Sequence, residues 1–197
     1  MTKDGHNPRK SHPHAAHDDL ARLTARIDRP VVLVGLMGAG KSTVGRRLAS
    51  IMGRDFVDAD DEIEDAAQRS IPEIFEEFGE AYFRDGERRV IARLMEERRG
   101  VIATGGGAFI DTETRALILD KGIAVWIDCD IDTLVERTSR RDHRPLLNTG
   151  DPREILTRLL DERRPFYSQA HVKVMSDEAP HADTAQAILK GIDQWLG

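Results

Sequence analysis

The segment VVLVGLMGAGKST, at residues 31–43, is the most informative part of this 197-residue chain. Its first four residues are aliphatic, as in a strand buried on both faces. The pattern G-x-x-x-x-G-K-S follows from Gly35 to Ser42, and the residues from Lys41 onward can continue as a helix. Strand, loop and helix therefore stand in the order of a phosphate-binding loop, with a glycine-rich turn that binds nothing as the alternative.

The chemistry of this loop follows from its backbone and two side chains. Gly35, Gly38 and Gly40 can adopt positive φ, so successive N–H groups can surround phosphate oxygens. Lys41 supplies an ammonium group for the β- and γ-phosphates, and the Ser42 hydroxyl is placed to ligate Mg²⁺. ATP and Mg²⁺ are therefore the expected co-substrate and metal ion. The predicted nucleotide contacts in this segment are Gly38, Ala39, Gly40, Lys41, Ser42 and Thr43.

Composition limits the class of protein. With 40% hydrophobic and 32% charged residues the chain is typical of a soluble domain, and its apolar runs are too short to span a bilayer. The net charge of −6 argues against general nucleic-acid binding. Cys129 is the only cysteine, which excludes an internal disulfide and fits a reducing compartment. We expect a cytoplasmic monomer.

The first 28 residues form a histidine-rich extension ahead of a single domain at residues 29–197. The extension has no apolar segment of the kind that a signal peptide needs. We predict that it is mobile, although its histidines leave metal binding open as an alternative. Residues 18–27 can form one short helix. Deleting residues 1–25 should leave turnover intact.

An acidic segment follows the second predicted strand, with seven acidic residues between positions 55 and 65. Asp58 and Asp60 fall at the carboxyl end of that strand, where ligands of open α/β sheets bind. A carboxylate there can hold Mg²⁺ or accept a proton from an attacking hydroxyl. A plain helix N-cap is an equally good interpretation at this point.

Two further segments carry candidate residues. Residues 71–99 are predicted to form two helices separated near Gly79, and in the second helix Arg84 and Glu87 can simply pair on the surface. The next strand, from Val101, ends in three consecutive glycines at 105–107. Such a run indicates a backbone that passes close to something or presents its N–H groups, although a bare loop is also possible.

Taken together, these motifs resemble those of the shikimate kinase family of P-loop metabolite kinases, over residues 30–176. The phosphate-binding loop alone identifies only the superfamily, whereas the combination is specific. The extension before residue 29 has no counterpart in the family pattern. Besides the loop, the matching motifs are D-A-D-D-E-I-E at 58–64, F-R-D-G-E at 83–87, T-G-G-G at 104–107, R-P-L-L at 144–147 and E-R-R-P-F-Y at 162–167.

The resemblance implies a role for each matched residue. Asp58 would serve the magnesium ion, and Asp60 would contact the substrate hydroxyls. Arg84 and Arg163 would bind the substrate carboxylate. Glu87 would orient that carboxylate. The implied substrate loop consists of Gly105, Gly106 and Gly107.

Eight arginines between positions 137 and 164 reverse the acidity of the chain locally. We interpret residues 139–152 as a lid that closes over ATP, with Arg144 stabilising charge on the transferring phosphoryl group. The alternative is a solvated helix face with salt bridges. The resemblance makes Arg137 the candidate for stacking on adenine, since the segment after Met175 lacks the family's adenine-loop signature.

These observations predict a three-layer α/β domain with a five-stranded parallel sheet and helices on both faces. The resemblance adds the strand order 2-3-1-4-5. The predicted strands lie near residues 31–34, 55–58, 101–104, 123–128 and 171–176.

The predicted function is transfer of the γ-phosphate of ATP to the 3-hydroxyl of shikimate, giving shikimate 3-phosphate and ADP in aromatic amino acid biosynthesis. Lys41, Asp60 and Arg144 are the expected catalytic residues; neither nucleic acid nor membrane is an expected partner. A gluconate or nucleoside monophosphate kinase would share the loop but lack the paired aspartates and arginines. A nucleotide-dependent switch protein is the alternative from another class.

Overall fold

Five parallel strands form one sheet in the order β2-β3-β1-β4-β5 in this computed structural model. The structure describes residues 13–97, 99–139, 150–176 and 180–197. The predicted fold class and strand order are confirmed, and each strand end lies within one residue of its predicted position. The strands are β1 Val31–Val34, β2 Phe56–Asp58, β3 Val101–Ala103, β4 Ile123–Asp128 and β5 Val172–Met175.

The central strand β1 places the phosphate-binding loop in the middle of the sheet edge. All four of its residues are completely buried, as their aliphatic side chains predict. It pairs with β3 on one side and β4 on the other. Because parallel strands end at the same edge, the loop after β1 lies beside the glycine run after β3.

Helices cover both faces of the sheet. The helix α2 packs against α8 and β3, α3 packs against α4, and α8 also packs against β5. Within the described ranges, no helix has the length and apolarity needed to cross a bilayer. The helices are α1 Pro13–Arg26, α2 Lys41–Met52, α3 Ala59–Ala67, α4 Ile71–Glu97, α5 Thr112–Lys121, α6 Ile131–Ser139, α7 Pro152–Tyr167 and α8 His181–Leu196, with a 3-10 turn at Ala108–Ile110.

The predicted interruption of α4 at Gly79 is confirmed. Gly79 has φ 80° and ψ 175°, outside the helical region, so α4 consists of two helical parts joined at a kink. A residue without Cβ tolerates this positive φ at little steric cost. The second part of α4 carries Arg84 and Glu87.

The helix α1 is longer and better packed than the predicted helix at residues 18–27. It begins at Pro13 and contacts α2 and α8. Arg26 forms an ion pair with Asp193 of α8 at 2.7 Å, and Arg54 of the loop after α2 donates to the carbonyls of Thr24 and Ile27 at 2.7 and 2.6 Å. Residues 13–26 therefore form a helix that contacts the domain, and residues 1–12 lie outside the described ranges. The mobility of the extension stays a prediction.

Most of the predicted lid, residues 140–149, lies outside the described ranges. Arg144 is one of these residues. On either side of them, α6 ends at Ser139 and α7 begins at Pro152. The carboxylate of Asp151 caps α7 by accepting a hydrogen bond from the backbone N–H of Arg153 at 2.9 Å.

Candidate active site

A cavity of about 390 Å³ lies at the carboxyl ends of β1, β2 and β3. Its walls come from the phosphate-binding loop, the acidic segment, the glycine run and the first residue of α8. This position agrees with the general rule for ligand sites in open α/β sheets. The lining residues are Met37, Gly38, Gly40, Lys41, Ser42, Thr43, Asp58, Asp60, Thr104, Gly105, Gly106, Arg137 and His181.

The phosphate-binding loop has the backbone that the sequence predicts. Gly38 and Gly40 have φ of 84° and 91°, which L-residues with a Cβ rarely adopt. Lys41 donates from Nζ to the loop carbonyls of Gly35 and Leu36 at 2.8 and 2.9 Å. Its ammonium group is therefore held over the loop, at the start of α2, where the helix dipole adds positive potential.

Ala39 differs from the other predicted nucleotide contacts of this loop because it is buried. It is buried in the core, with 1% of its surface exposed, and it is not among the residues that line the cavity. The Ser42 and Thr43 side chains line the cavity.

Asp58 is the N-cap of α3, one of the roles weighed from the sequence, and it also contacts Ser42. Its Oδ1 accepts a hydrogen bond from the backbone N–H of Asp60 at 3.2 Å and so caps α3, while Oδ2 accepts one from the Ser42 hydroxyl at 2.6 Å. The hydroxyl and carboxylate oxygens of Ser42 and Asp58 are thus neighbours. Hard oxygen donors of this kind fit Mg²⁺, which keeps its remaining positions for water and phosphate.

Asp60 faces the cavity in an environment that disfavours its charge. Burial, together with the carboxylates of Asp58, Glu87 and Asp61, raises the pKa of Asp60 to about 6, against the opposing effect of Lys41. A carboxylate with a pKa close to neutrality is a better proton acceptor than an ordinary aspartate.

The glycine run at 105–107 packs against four charged side chains. A Cβ on Gly105 would lie 2.8 Å from Oδ1 of Asp60 and 3.1 Å from Oε1 of Glu87. One on Gly107 would lie 2.6 Å from Nη1 of Arg84. The close approach that three glycines indicate is therefore real, and the groups approached are side chains of the predicted acceptor site.

Gly106 joins this run to the phosphate-binding loop and to α7. A Cβ on Gly106 would lie 3.5 Å from both the carbonyl oxygen of Gly35 and the backbone nitrogen of Met37. The Gly106 carbonyl accepts hydrogen bonds from Arg163 Nη1 at 3.1 Å and from the Tyr167 hydroxyl at 2.5 Å. The glycine run is thus fixed directly beside the phosphate-binding loop.

Arg84 and Glu87 form a partly buried pair, which is not the surface pair that spacing alone favours. Arg84 Nη1 lies 2.7 Å from Oε2 of Glu87, whose side chain is only 3% exposed. Burial raises the pKa of Glu87, and Arg84 opposes that shift. The other carboxylate oxygen, Oε1, is buried and has no hydrogen-bond partner among the described residues. A polar ligand group at the glycine run would satisfy it.

Sequence reasoning missed two residues of this region. Tyr167 is completely buried beside Trp126 and donates a hydrogen bond to the carbonyl of Gly106, although in the sequence it is only the last residue of E-R-R-P-F-Y. His181 lines the cavity at the start of α8, and no pattern in the sequence pointed to it.

Arg137 reaches the cavity from α6, as the adenine-stacking prediction requires. It donates to the Ser176 hydroxyl at 3.1 Å and contacts the sulfur of Cys129 at 3.8 Å. Most of the predicted site residues that the structure describes line the cavity. Arg84 and Arg163 lie against the glycine run and, like Ala39 and Gly107, are not among its lining residues. Arg144 lies outside the described ranges.

Comparison with known proteins gives a consistent family. A family model described as shikimate kinase matches residues 37–193. A shikimate kinase of Novosphingobium aromaticivorans is 63% identical over 182 residues, covering 90% of this chain and 94% of the relative. A shikimate kinase of Caulobacter vibrioides is 54% identical over 177 residues, covering 90% and 87%. The solved shikimate kinase from Acinetobacter baumannii in complex with shikimate superposes with a TM-score of 0.82 at 39% identity, covering 87% of this chain and 97% of that one.

Proposed function

The chain belongs to the shikimate kinase family, and from this premise we propose how its site transfers the γ-phosphoryl group of ATP to the 3-hydroxyl of shikimate. The products are ADP and shikimate 3-phosphate, in aromatic amino acid biosynthesis. One observation carries the proposal: the glycine run beside Asp60, Arg84 and Arg163 touches the phosphate-binding loop at Gly106. A hydroxyl acid held there would meet the end of a triphosphate.

The phosphate-binding loop holds the nucleotide. Backbone N–H groups from Gly38 to Thr43 surround the phosphates, and Lys41 turns from the loop carbonyls to the β- and γ-phosphate oxygens. Ser42 and Asp58 would hold Mg²⁺, which neutralises phosphate charge when bound. Arg137 stacks on adenine, and Arg144 stabilises charge on the transferring group.

The acceptor side orients the hydroxyl and the carboxylate of shikimate. Arg84 and Arg163 bind the carboxylate, since guanidinium groups suit planar anions. Glu87 holds Arg84 in place through their 2.7 Å contact. Asp60 receives the hydrogen bond of the attacking hydroxyl and takes up its proton as the new P–O bond forms; the pKa of Asp60, raised to about 6, suits that task. The chain acts as a cytoplasmic monomer.

A coupled assay of ADP release with and without shikimate tests this function. We expect shikimate to raise ADP release many-fold, because transfer requires the acceptor hydroxyl. Gluconate and nucleoside monophosphates should have no such effect. ADP release that is the same with and without shikimate would favour the nucleotide-dependent switch instead.

Arg84→Ala tests the acceptor site in particular. Charge-assisted hydrogen bonds contribute about 1.5–3 kcal/mol, so KM for shikimate should rise about 10- to 100-fold. KM for ATP should stay nearly unchanged. Arg89→Ala, on the same helix but with a 74% exposed side chain, is the matched control and should leave both constants unaltered. Equal increases for shikimate and ATP would remove Arg84 from the acceptor site.

A further inference from the structure

The hydroxyl of Tyr167 contacts the glycine run, and the proposed function does not yet use it. Tyr167 is the last residue of α7 and is completely buried. Its hydroxyl donates a hydrogen bond to the carbonyl oxygen of Gly106 at 2.5 Å, and Nη1 of Arg163 donates to the same oxygen at 3.1 Å. Arg163 and Tyr167 are four positions apart in one helix, so they lie on the same face and reach one acceptor together.

The two donors to this carbonyl differ in what else they can bind. A guanidinium group has several N–H donors that suit a carboxylate, and Arg163 is proposed to use them for shikimate. Burial raises the pKa of the Tyr167 hydroxyl above its ordinary value of 10.0, against the opposing effect of Arg163. The hydroxyl therefore keeps its proton at neutral pH. The Gly106 carbonyl thus keeps one donor when Arg163 turns toward a ligand.

The hydrogen bond from Tyr167 sets the direction of the peptide group between Gly106 and Gly107. This peptide is planar and trans, so the carbonyl oxygen and the following N–H point in opposite directions. With the carbonyl held on α7, the N–H of Gly107 points away from α7. Glycine backbone rotates easily, so without that donor the carbonyl oxygen can turn toward the acceptor region. Its partial negative charge would then repel a carboxylate.

The ring of Tyr167 is held against the centre of the sheet. It packs on Trp126 of β4, with the two ring centroids 5.9 Å apart. Trp126 is itself buried, and its Cδ1 lies 3.5 Å from the position of a Cβ on Gly35. A short series of contacts therefore runs from the phosphate-binding loop through Trp126 and Tyr167 to Gly106. The hydroxyl has little freedom to move, because β4 pairs with the central strand β1.

We infer that Tyr167 is a positioning residue for phosphoryl transfer, whose hydroxyl holds the Gly106 carbonyl on α7 and so keeps the glycine run in the form that binds the acceptor. This inference rests on the proposed function, since it takes the acceptor site from it. Tyr167 is not among the residues that line the cavity, and it acts through Gly106 and Arg163. Loss of its hydroxyl should weaken shikimate binding and spare nucleotide binding.

Tyr167→Phe tests the inference, because it removes the hydroxyl and keeps a ring beside Trp126. KM for shikimate should rise about 3- to 10-fold, the effect of one lost hydrogen bond, while KM for ATP and kcat stay nearly unchanged. Steady-state kinetics with each substrate varied in turn measures these constants. Tyr82→Phe, which removes the same group from a 54% exposed residue, is the matched control and should leave all three constants unaltered.

A purely structural role of Tyr167 would give a different pattern. It would lower Tm of Tyr167→Phe but leave KM for both substrates at the wild-type values, and this result would overturn the inference. Equal increases in KM for shikimate and ATP would overturn it as well, because they would place the effect on the phosphate-binding loop.

Fluorine NMR provides a second test that keeps the Tyr167 hydroxyl in place. The chain has two tyrosines, so 3-fluorotyrosine incorporated into the Tyr82→Phe variant labels position 167 alone. Saturating shikimate should shift this resonance, because Arg163 beside the hydroxyl changes its contacts when it binds the carboxylate. A resonance that shikimate does not move would overturn the inference, also in the case that Tyr167→Phe does not fold.

Failure of the inference is distinguishable from failure of the proposed function. A wild-type chain without shikimate-dependent ADP release would refute the function, whatever the variants do. A wild-type chain with that activity, beside a Tyr167→Phe variant with normal KM for shikimate, would refute only the role of Tyr167.

Discussion

Among single residues, Asp60 is proposed to accept a proton in catalysis, and burial of its carboxylate lowers the stability of the folded chain. In the unfolded chain its carboxyl has the ordinary pKa of 3.8, whereas in the folded chain burial raises the pKa to about 6. Between these two values the folded state binds more protons than the unfolded state. The contribution of Asp60 to stability therefore falls as pH rises from about 4 to about 6, and the loss persists at neutral pH.

Asp60→Asn should abolish the activity and also remove the loss of stability that the buried Asp60 carboxylate causes. At pH 7 the neutral amide avoids burying a charge, so we expect the free energy of unfolding to rise by about 2 kcal/mol. Tm should then rise by about 4–8 °C at this chain length. The gain should shrink as pH falls below about 5, where the native carboxyl is protonated as well. Thermal unfolding at pH 4.5 and 7 measures the difference.

The same group predicts a pH dependence of catalysis. The wild-type kcat/KM for shikimate should decrease as pH falls through about 6, because Asp60 must be deprotonated to accept the hydroxyl proton. A profile that stays flat down to pH 5 would contradict the role as base and leave Asp60 as an orienting group only. Initial rates with saturating ATP from pH 5 to 8 provide the profile.

At the scale of elements, the glycine run works through the side chains packed against it. Gly107 has φ −93° and ψ −18°, a conformation open to any L-residue, so only contact and not backbone strain requires glycine there. The nearest atoms to an added Cβ belong to the Arg84 guanidinium, at 2.6–2.9 Å. The guanidinium group can move away from an added Cβ, although this movement breaks its ion pair with Glu87.

Gly107→Ala should therefore raise KM for shikimate about tenfold, the cost of one disturbed charge-assisted contact, while KM for ATP and Tm change little. Steady-state kinetics with each substrate varied in turn gives the comparison. Gly86→Ala, in α4 with open space around its Cβ position, is the matched glycine control and should leave both constants unchanged. A loss of ATP affinity in Gly107→Ala would show that the glycine run supports the phosphate-binding loop instead.

The helix α1 stabilises the folded chain. Leu20 and Leu23 pack against the core, and Arg54 donates to the carbonyls of Thr24 and Ile27. Among the residues that the structure describes, none from α1 lines the active-site cavity. Its removal should therefore expose apolar surface on α2 and α8 without changing the groups that contact substrates.

Deleting residues 1–26 should lower the free energy of unfolding by about 2–4 kcal/mol, while turnover at 25 °C is retained. Deleting residues 1–12, which leaves α1 intact, is the control and should leave the free energy of unfolding unchanged. Chemical denaturation of the three chains measures the difference. A large loss of turnover in a still-folded 1–26 deletion would mean that α1 holds α8, and with it His181, in position.

At the scale of the whole molecule, one core joins the elements that hold the two substrates. A single cluster of buried apolar side chains runs from Ile27, next to α1, through the sheet to Ile192 in α8. The loops proposed to bind the nucleotide and the acceptor therefore belong to one folding unit. Ligands that bind only the folded state stabilise that unit as a whole.

ADP at 100 times its Kd should raise the stability by about 2.7 kcal/mol, seen as a higher Tm in one cooperative transition. Shikimate added to the ADP complex should raise Tm again, because its contacts are separate from those of the nucleotide. Scanning calorimetry with each ligand and with both provides the test. Two separate transitions, or a Tm insensitive to ADP, would contradict a single unit carrying both sites.

The fold class and the phosphate-binding loop were predictable from local patterns, because hydrophobic periodicity and glycine chemistry are properties of contiguous residues. Local patterns also singled out Asp58, Asp60 and Arg84 as candidates, although spacing alone could not separate a surface pair from the buried contact between Arg84 and Glu87. Arg163 came only from the family resemblance. The resemblance to a known family supplied the strand order, which no local pattern contains.

Contacts between groups far apart in sequence became visible only in the folded chain. Arg163 and Tyr167 bind the carbonyl of Gly106 across 57 and 61 positions of sequence, and α1 docks on α8 across 167. His181 faces the phosphate-binding loop only because β5 lies beside β4 and returns the chain to that edge of the sheet. Such contacts depend on strand order and helix packing, which arise from the whole chain at once, so no short stretch of residues reveals them.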